Sequence, residues 1–178
     1  MRMNVQRLSP QHASSYRALM LEAYAAHPDA FTSTVGERAA LPIAWWEARL
    51  AEGPAAREVV FGAIEGSSLQ GVAGLSFESR EKVRHKATLF GMYVPAVLRG
   101  RGLGRRLVTR ALDCARARPG VCLVQLTVTH GNAPAEALYR RCGFVEFGLE
   151  PFAAAVEGGF VSKLHMWCDL RAAESRRD

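Results

Sequence analysis

The sequence predicts a mixed α+β (α/β) fold on three observations: β-branched stretches alternate with amphipathic helical ones, no segment repeats, and no linker-like tract divides the chain. At 178 residues it is long enough to bury one sizeable core, so residues 1–170 are expected to form a single domain and residues 171–178 a frayed C-terminal tail.

Residues 3–8 alternate weakly and predict a strand. Ser9-Pro10 then opens a helix in which Tyr16, Leu19, Met20 and Ala23 share one face, until Pro28 stops it. Residues 29–42 carry Thr, Ser, Gly and Pro without a period and predict a loop, followed by a short helix over 43–51 with Trp45, Trp46 and Leu50. Two β-rich runs, 58–64 and 69–77, flank Glu65-Gly66-Ser67-Ser68, the composition of a hairpin turn. A charged loop over 78–85 leads to another strand at about 87–94. From Gly102 to about Arg118, Leu103, Leu107, Val108, Ala111, Leu112 and Ala115 make the apolar stripe of a helix, closed by Pro119-Gly120. Residues 121–129 form a β-branched run. Asn132 is a good N-cap for a helix over 132–142, with Pro134 in its first turn and Gly143-Phe144 as its C-terminal glycine and hydrophobic partner. Residues 145–147 and 161–170 supply two last strands, joined by a connection over 148–162.

Composition narrows the function classes. Hydrophobic residues make up 49% and charged residues 22%, which excludes a disordered or fibrous chain. The net charge of +6 permits an anionic partner. All but three of the 23 basic residues are arginine, the lysines being Lys82, Lys86 and Lys163. Five arginines, Arg99, Arg101, Arg105, Arg106 and Arg110, fall within twelve residues that hold no acid, so the excess charge is concentrated at one helix start. Neither a helix-turn-helix nor an aromatic RNA-binding pair is evident, and nucleic acid is not expected as a partner. Cys114, Cys122, Cys142 and Cys168 lack metal-binding spacing, so reduced thiols and no metal are expected. No apolar run is long enough to cross a bilayer, and the start of the chain lacks the apolar core of a signal peptide; a soluble, cytoplasmic protein with no membrane partner is expected.

The chemistry lies between residues 89 and 144. Arg99-Gly100-Arg101-Gly102-Leu103-Gly104-Arg105 sits between a strand and the start of a helix, where unpaired N–H groups and the helix dipole favour an anion and missing side chains let a phosphate approach. The spacing fails both the dinucleotide fingerprint GxGxxG and the P-loop. It meets a third pattern, Arg/Gln-x-x-Gly-x-Gly/Ala, and resembles the pyrophosphate-binding motif of the GNAT superfamily of acyl-CoA N-acyltransferases. The likeness extends upstream to Gly91-Met92-Tyr93-Val94-Pro95. Downstream, the run from Asn132 through Leu138-Tyr139 to Gly143-Phe144 is similar to the family's Asn-x-x-Ala-x-x-Leu-Tyr-x-x-x-Gly-Phe segment. The clear resemblance covers about residues 58–147.

The resemblance implies a GNAT-like central, mostly antiparallel sheet of six to seven strands with one splayed parallel pair, flanked by about four helices. It implies acetyl-CoA as co-substrate, an amine acceptor and no metal. Met92, Tyr93 and Val94 would offer strand backbone to the pantetheine, with Gly91 as a bulge that helps the splay. Gly100, Arg101, Gly102, Leu103, Gly104 and Arg105 would cradle the pyrophosphate, with Arg99 or Arg105 adding charge, and Asn132 would touch the pantetheine arm. Tyr139 would stand near the thioester sulfur as general acid, although a packed core aromatic is its plain alternative.

An amine with a pKa of about 10.4 is almost wholly protonated at neutral pH, so a base is needed. Many relatives carry a glutamate on the strand equivalent to 87–94; this chain has none there. Glu78 and His165 rank first as replacements, ahead of His85 and His130. The acceptor site is expected between the 29–46 flap and the 148–162 connection. The function implied is acetyl transfer from acetyl-CoA to a primary amine of a small molecule, protein or peptide, by direct attack in a ternary complex. Two alternatives stay open: a catalytically silent acyl-CoA sensor, and an acetyltransferase acting on an aminoacyl-tRNA. A homodimer is compatible with either kind of enzyme.

Overall fold

In the computed structural model, which describes residues 3–171, strand β2 (Glu58–Glu65) buries both of its faces. Val59, Phe61 and Ala63 enter one core and Val60 enters another on the opposite side of the sheet. A strand so placed reads as a continuous apolar run, as the sequence does here. The sheet has seven strands in the order β1-β2-β3-β4-β5-β7-β6, the others being β1 (Asn4–Arg7), β3 (Ser68–Phe77), β4 (Lys86–Tyr93), β5 (Leu123–Thr129), β6 (Val145–Val156) and β7 (Gly159–Asp169).

Helices α1 (Ala13–Ala26), α2 (Val35–Ala39) and α3 (Ile43–Arg49) precede β2 in the chain. Tyr16, Leu19, Met20 and Ala23 of α1 pack with Trp46 of α3 against Val60, Val72 and Tyr93 of the sheet. Trp46 is fully buried and meets Tyr16 edge-on at 5.5 Å. On the other face, α4 (Leu103–Ala117) lays its stripe of Leu103, Leu107, Val108, Ala111, Leu112 and Ala115 on the core of Val59, Phe61 and Ala63. Each fully buried leucine there contributes about 1.5–3 kcal/mol of apolar transfer. Helix α5 (Ala133–Arg141) adds Tyr139 to the same core.

Every strand pair is antiparallel except β4 and β5. These two pair only at Lys86↔Leu123, Ala87↔Val124 and Thr88↔Gln125. Beyond that point β4 stays bonded to β3 as far as Tyr93, and β5 to β7 as far as Thr129, but not to each other. The facing edges therefore open into a wedge. A bulge helps: β4 spends one more residue than β3 between Gly74↔Phe90 and Val72↔Tyr93, and Gly91 there has φ +57°, a conformation that glycine tolerates best.

Two expectations need correction. The 29–42 segment is not all loop: α2 forms inside it, held by a reciprocal cap in which the Glu37 amide donates to Thr34 Oγ1 at 3.2 Å and the Thr34 amide donates to Glu37 Oε2 at 2.9 Å. The strand expected at 145–147 runs on to Val156, and β7 begins at Gly159, so the 148–162 connection is mostly a hairpin. Gly148 and Pro151 hide its period. The ladder skips residues between Glu146 and Gly148 and between Glu150 and Ala154, and Pro151 falls in the second gap, where its missing N–H costs no ladder bond. Of the expected tail, Arg171 is bonded to the Asp169 carboxylate at 2.9 Å, and residues 172–178 lie outside the described residues. Among the described residues no helix is long and apolar enough to cross a membrane.

Candidate active site

The wedge between β4 and β5 opens into a cleft of about 940 Å³. Its floor is the unpaired edge of β4 from Leu89 to Val94 and of β5 from Leu126 to Thr129. Helices α4 and α5 present their N-terminal ends to it, through Gly102, Leu103, Gly104 and Arg105 on one and Asn132, Pro134 and Ala135 on the other.

The start of α4 suits an anion. Its N-cap, Gly102, has φ +76°, and no side chain caps the helix. The first free intrahelical donor to find a partner is Arg106, whose amide reaches the Gly102 carbonyl at 3.1 Å, so the amides before it are without helical acceptors. The first turn holds Arg105 and Arg106 and no acid, the reverse of what the dipole favours, and a bound anion relieves that mismatch. A Cβ added at Gly100 or Gly102 would meet nothing within 4 Å, so the approach is open. These features fit the pyrophosphate of an acyl-CoA.

The arginines divide their work. Arg99 and Arg105 line the cleft, whereas Arg101 is exposed and outside its lining. Arg106 donates to the Met3 carbonyl at 2.7 Å, and Arg110 lies over the Phe61 ring. Arg99 donates through Nε to the Val94 carbonyl at 2.9 Å and contacts His27 Nε2 at 2.9 Å, so it also braces the end of β4 against α1. Met92, Val94 and Tyr93 all line the cleft; the Tyr93 side chain turns toward α1, where its hydroxyl donates to Glu22 at 2.9 Å. Asn132 caps α5, its side chain accepting from the Ala135 amide at 3.4 Å.

Tyr139 is 8% exposed, meets Phe144 edge-on at 5.9 Å, and lines the cleft. It is thus packed in the core and open to the cleft at once. Among the described residues its hydroxyl has no hydrogen-bond partner, and burial away from charge raises its pKa well above the usual phenol value, keeping it a proton donor.

Of the four groups considered as a base, the cleft is lined by His165 alone. Glu78 stands beyond Phe77, opposite the start of β4 where the parallel pair is still closed, and pairs with Arg80 at 3.6 Å; β3 carries it to the closed end of the wedge, outside the cleft lining. His85 precedes that same closed end, and His130 is exposed beside Glu136. His165 sits on β7 opposite Thr127, with its Nε2 2.9 Å from Glu150 Oε2 on β6 and its ring edge-on to Phe147. Glu150 was hidden in the segment read as a connection. Two more groups escaped the sequence reading: Lys163, buried and lining the cleft, and His27 at the end of α1. Alternation along β7 could have found Lys163, since it shares a face with His165 while Leu164, Met166 and Cys168 fill the core. Phe31 lines the cleft, whereas Trp45 and Trp46 pack into the core beneath α1. No group of His, Cys, Asp and Glu among the described residues could hold a metal ion.

Comparison with known proteins agrees with this geometry. The family model described as the acetyltransferase (GNAT) family matches residues 18–144. Streptothricin acetyltransferase of Streptomyces lavendulae is 38% identical over 101 residues, 56% of this chain and 51% of that one. The chain spans about half the length, or less, of the curated relatives it matches. A GNAT-family acetyltransferase from Streptococcus pneumoniae superimposes with a TM-score of 0.83 at 25% identity, over 93% of this chain and 98% of that one. YncA of Salmonella typhimurium, solved with its cofactor acetyl-CoA, gives a TM-score of 0.77 at 22% identity over 96% and 95% of the two chains.

Proposed function

The chain belongs to the acetyltransferase (GNAT) family, and from that premise we propose that it is an acetyl-CoA-dependent N-acetyltransferase, moving the acetyl group to a primary amine by direct attack in a ternary complex. The observation that carries this reading is the cleft itself: an uncapped, basic helix start opens onto it, and Tyr139 and His165 both line it.

In this reading the amides at the start of α4 and the Arg105 guanidinium hold the pyrophosphate, with Arg99 beside them. The free edge of β4 from Met92 to Val94 and the Asn132 side chain hold the pantetheine, in the manner of an added strand. Acetyl-CoA, when bound, supplies an activated carbonyl with a thiolate leaving group. The chain's own residues do the rest. His165, held by Glu150, takes the proton from the attacking amine. A backbone N–H of β4 in the stretch Met92–Val94 stabilises the developing oxyanion, and the Tyr139 hydroxyl protonates the departing sulfur.

Since a sensor needs no base, what would favour the sensor alternative is a missing carboxylate on β4. The His165–Glu150 pair, reaching in from β7 and β6, offers a proton acceptor without one. Incubating the protein with acetyl-CoA and a panel of primary amines, and following free thiol, tests the reading: amine-dependent thiol release is expected. Tight acetyl-CoA binding with no release on any amine would sink it in favour of the sensor.

A further inference from the structure

Lys163 is 7% exposed, lies on the cleft and has no part in the mechanism above. Its Nζ donates to Thr129 Oγ1 at 2.8 Å and to the Ala30 carbonyl at 3.4 Å. Both acceptors are neutral, and among the described residues no carboxylate comes within 4 Å. An ammonium has three donors, so one is left without an acceptor among the described residues. Burial lowers the Lys163 pKa below the usual lysine value, and the more distant Asp29 and Glu150 offset this only in part. A buried cation without an ion partner is costly for a fold to keep unless something pairs with it.

The rest of the cleft points the same way. Among the described residues its lining contains neither aspartate nor glutamate; the charged groups there are Arg99, Arg105, Arg141 and Lys163. Arg99 and Arg105 stand at or beside the start of α4, where a diphosphate is expected, and Arg141 is the last residue of α5. Lys163 is apart from them, on β7, where Leu164, Met166 and Cys168 fill the α4 core and Lys163 and His165 point the other way. Two residues along a strand separate their Cα atoms by roughly 6.6 Å. A molecule whose amine faces His165 therefore presents its neighbouring substituent to Lys163.

We propose that Lys163 receives an anionic group of the acceptor, so that the amine acetylated here belongs to a molecule that also bears a carboxylate, an α-amino acid being the simplest case. This rests on the acetyl-transfer reading above. A polycationic amine would meet Lys163 as a like charge, and a neutral amine would leave it unpaired. The competing role for Lys163 is purely mechanical: with Thr129, whose hydroxyl donates to the Asp29 carbonyl at 2.6 Å, it pins the turn at Pro28–Ala30 to the sheet.

The test compares matched acceptors on the full chain by acetyl-CoA-dependent thiol release: the common amino acids, their carboxamides, and spermidine. The wild type is expected to favour amino acids over carboxamides by about tenfold or more in kcat/KM, the worth of one desolvated charged hydrogen bond. Lys163→Met should abolish that preference, mainly through the acceptor KM, leaving the KM for acetyl-CoA and carboxamide turnover unchanged, and Lys163→Arg should restore part of it. Thermal melting of each variant reports on folding, and the wild-type comparison needs no variant at all. Equal losses on amino acids and carboxamides in Lys163→Met would overturn the proposal in favour of the mechanical role. So would a wild type that works only on carboxamides or spermidine, although acetyl transfer would then stand. Absence of thiol release with every acceptor would overturn both readings.

Discussion

Replacing Tyr139 with phenylalanine separates the proton donor from the scaffold. The ring is 8% exposed and meets Phe144 edge-on at 5.9 Å, contacts that phenylalanine keeps. The hydroxyl it removes has no partner among the described residues, so no internal hydrogen bond is lost. Deleting an unpaired polar atom from a buried site is close to neutral. Stability should change by less than about 1 kcal/mol, or roughly 2–4 °C in Tm at this chain length. Catalysis should respond very differently. A positioned general acid contributes about 10²- to 10⁴-fold, and a thiol with a pKa of about 8.5 needs only modest help to leave, so the rate should fall by about 100-fold or less without vanishing. The assay is thiol release at saturating acetyl-CoA and amine, beside calorimetric titration of acetyl-CoA and a thermal melt. Wild-type turnover in the pure variant would refute the proton-donor role. A Tm drop of many degrees would show instead that the hydroxyl was bonded inside the fold.

Other outcomes follow from the same geometry. Glu150→Gln should lower kcat about tenfold while the KM for acetyl-CoA holds, and His165→Ala should lower kcat by about 100-fold or more, because one residue orients the base and the other is the base; steady-state kinetics on both variants decides whether the pair acts as a unit. Gly102→Ala forces an L-residue to φ +76°, at about 1–2 kcal/mol in stability, yet its Cβ meets no protein atom within 4 Å; a weakening of acetyl-CoA binding by titration calorimetry, beyond what the melt explains, would mark the phosphate approach. Alkaline pH should destabilise the fold. Burial raises Tyr16 to about 12 and raises Tyr139 too, so the folded state holds protons that the unfolded chain releases above its phenol pKa of about 10. The stabilisation is complete below pH 10 and drains away above it. For Tyr16 alone that is about 2 to 3 kcal/mol by pH 12, measurable as a falling denaturation midpoint in urea.

Legibility in the sequence followed the range of the interaction. The glycine turn before α4 could be read because it is local: a strand end, a residue with φ +76° and an uncapped helix start lie within a few positions of one another. Tyr139 and Asn132 could be read for the same reason, since a cap, a first-turn proline and a C-terminal glycine fix α5 and the face its tyrosine takes. Glu78 could not be judged this way. Its position looked as good as that of His165 until pairing showed which end of β4 it adjoins.

By itself the chain determined that its strands and helices alternate, where its main helices begin and end, and that its basic charge gathers at one helix start, because each of these depends on backbone geometry and side-chain period over one or two turns. The tertiary structure alone decided which edges meet. Strand β7 inserts between β5 and β6, so that His165 faces Thr127 across one ladder while Glu150 comes to it from the other, and Lys163 is buried beside Thr129. Strand order is set by the summed burial of both faces of the sheet, a long-range quantity that no window of sequence contains. The wedge between β4 and β5, and the proton acceptor beside it, come from that order.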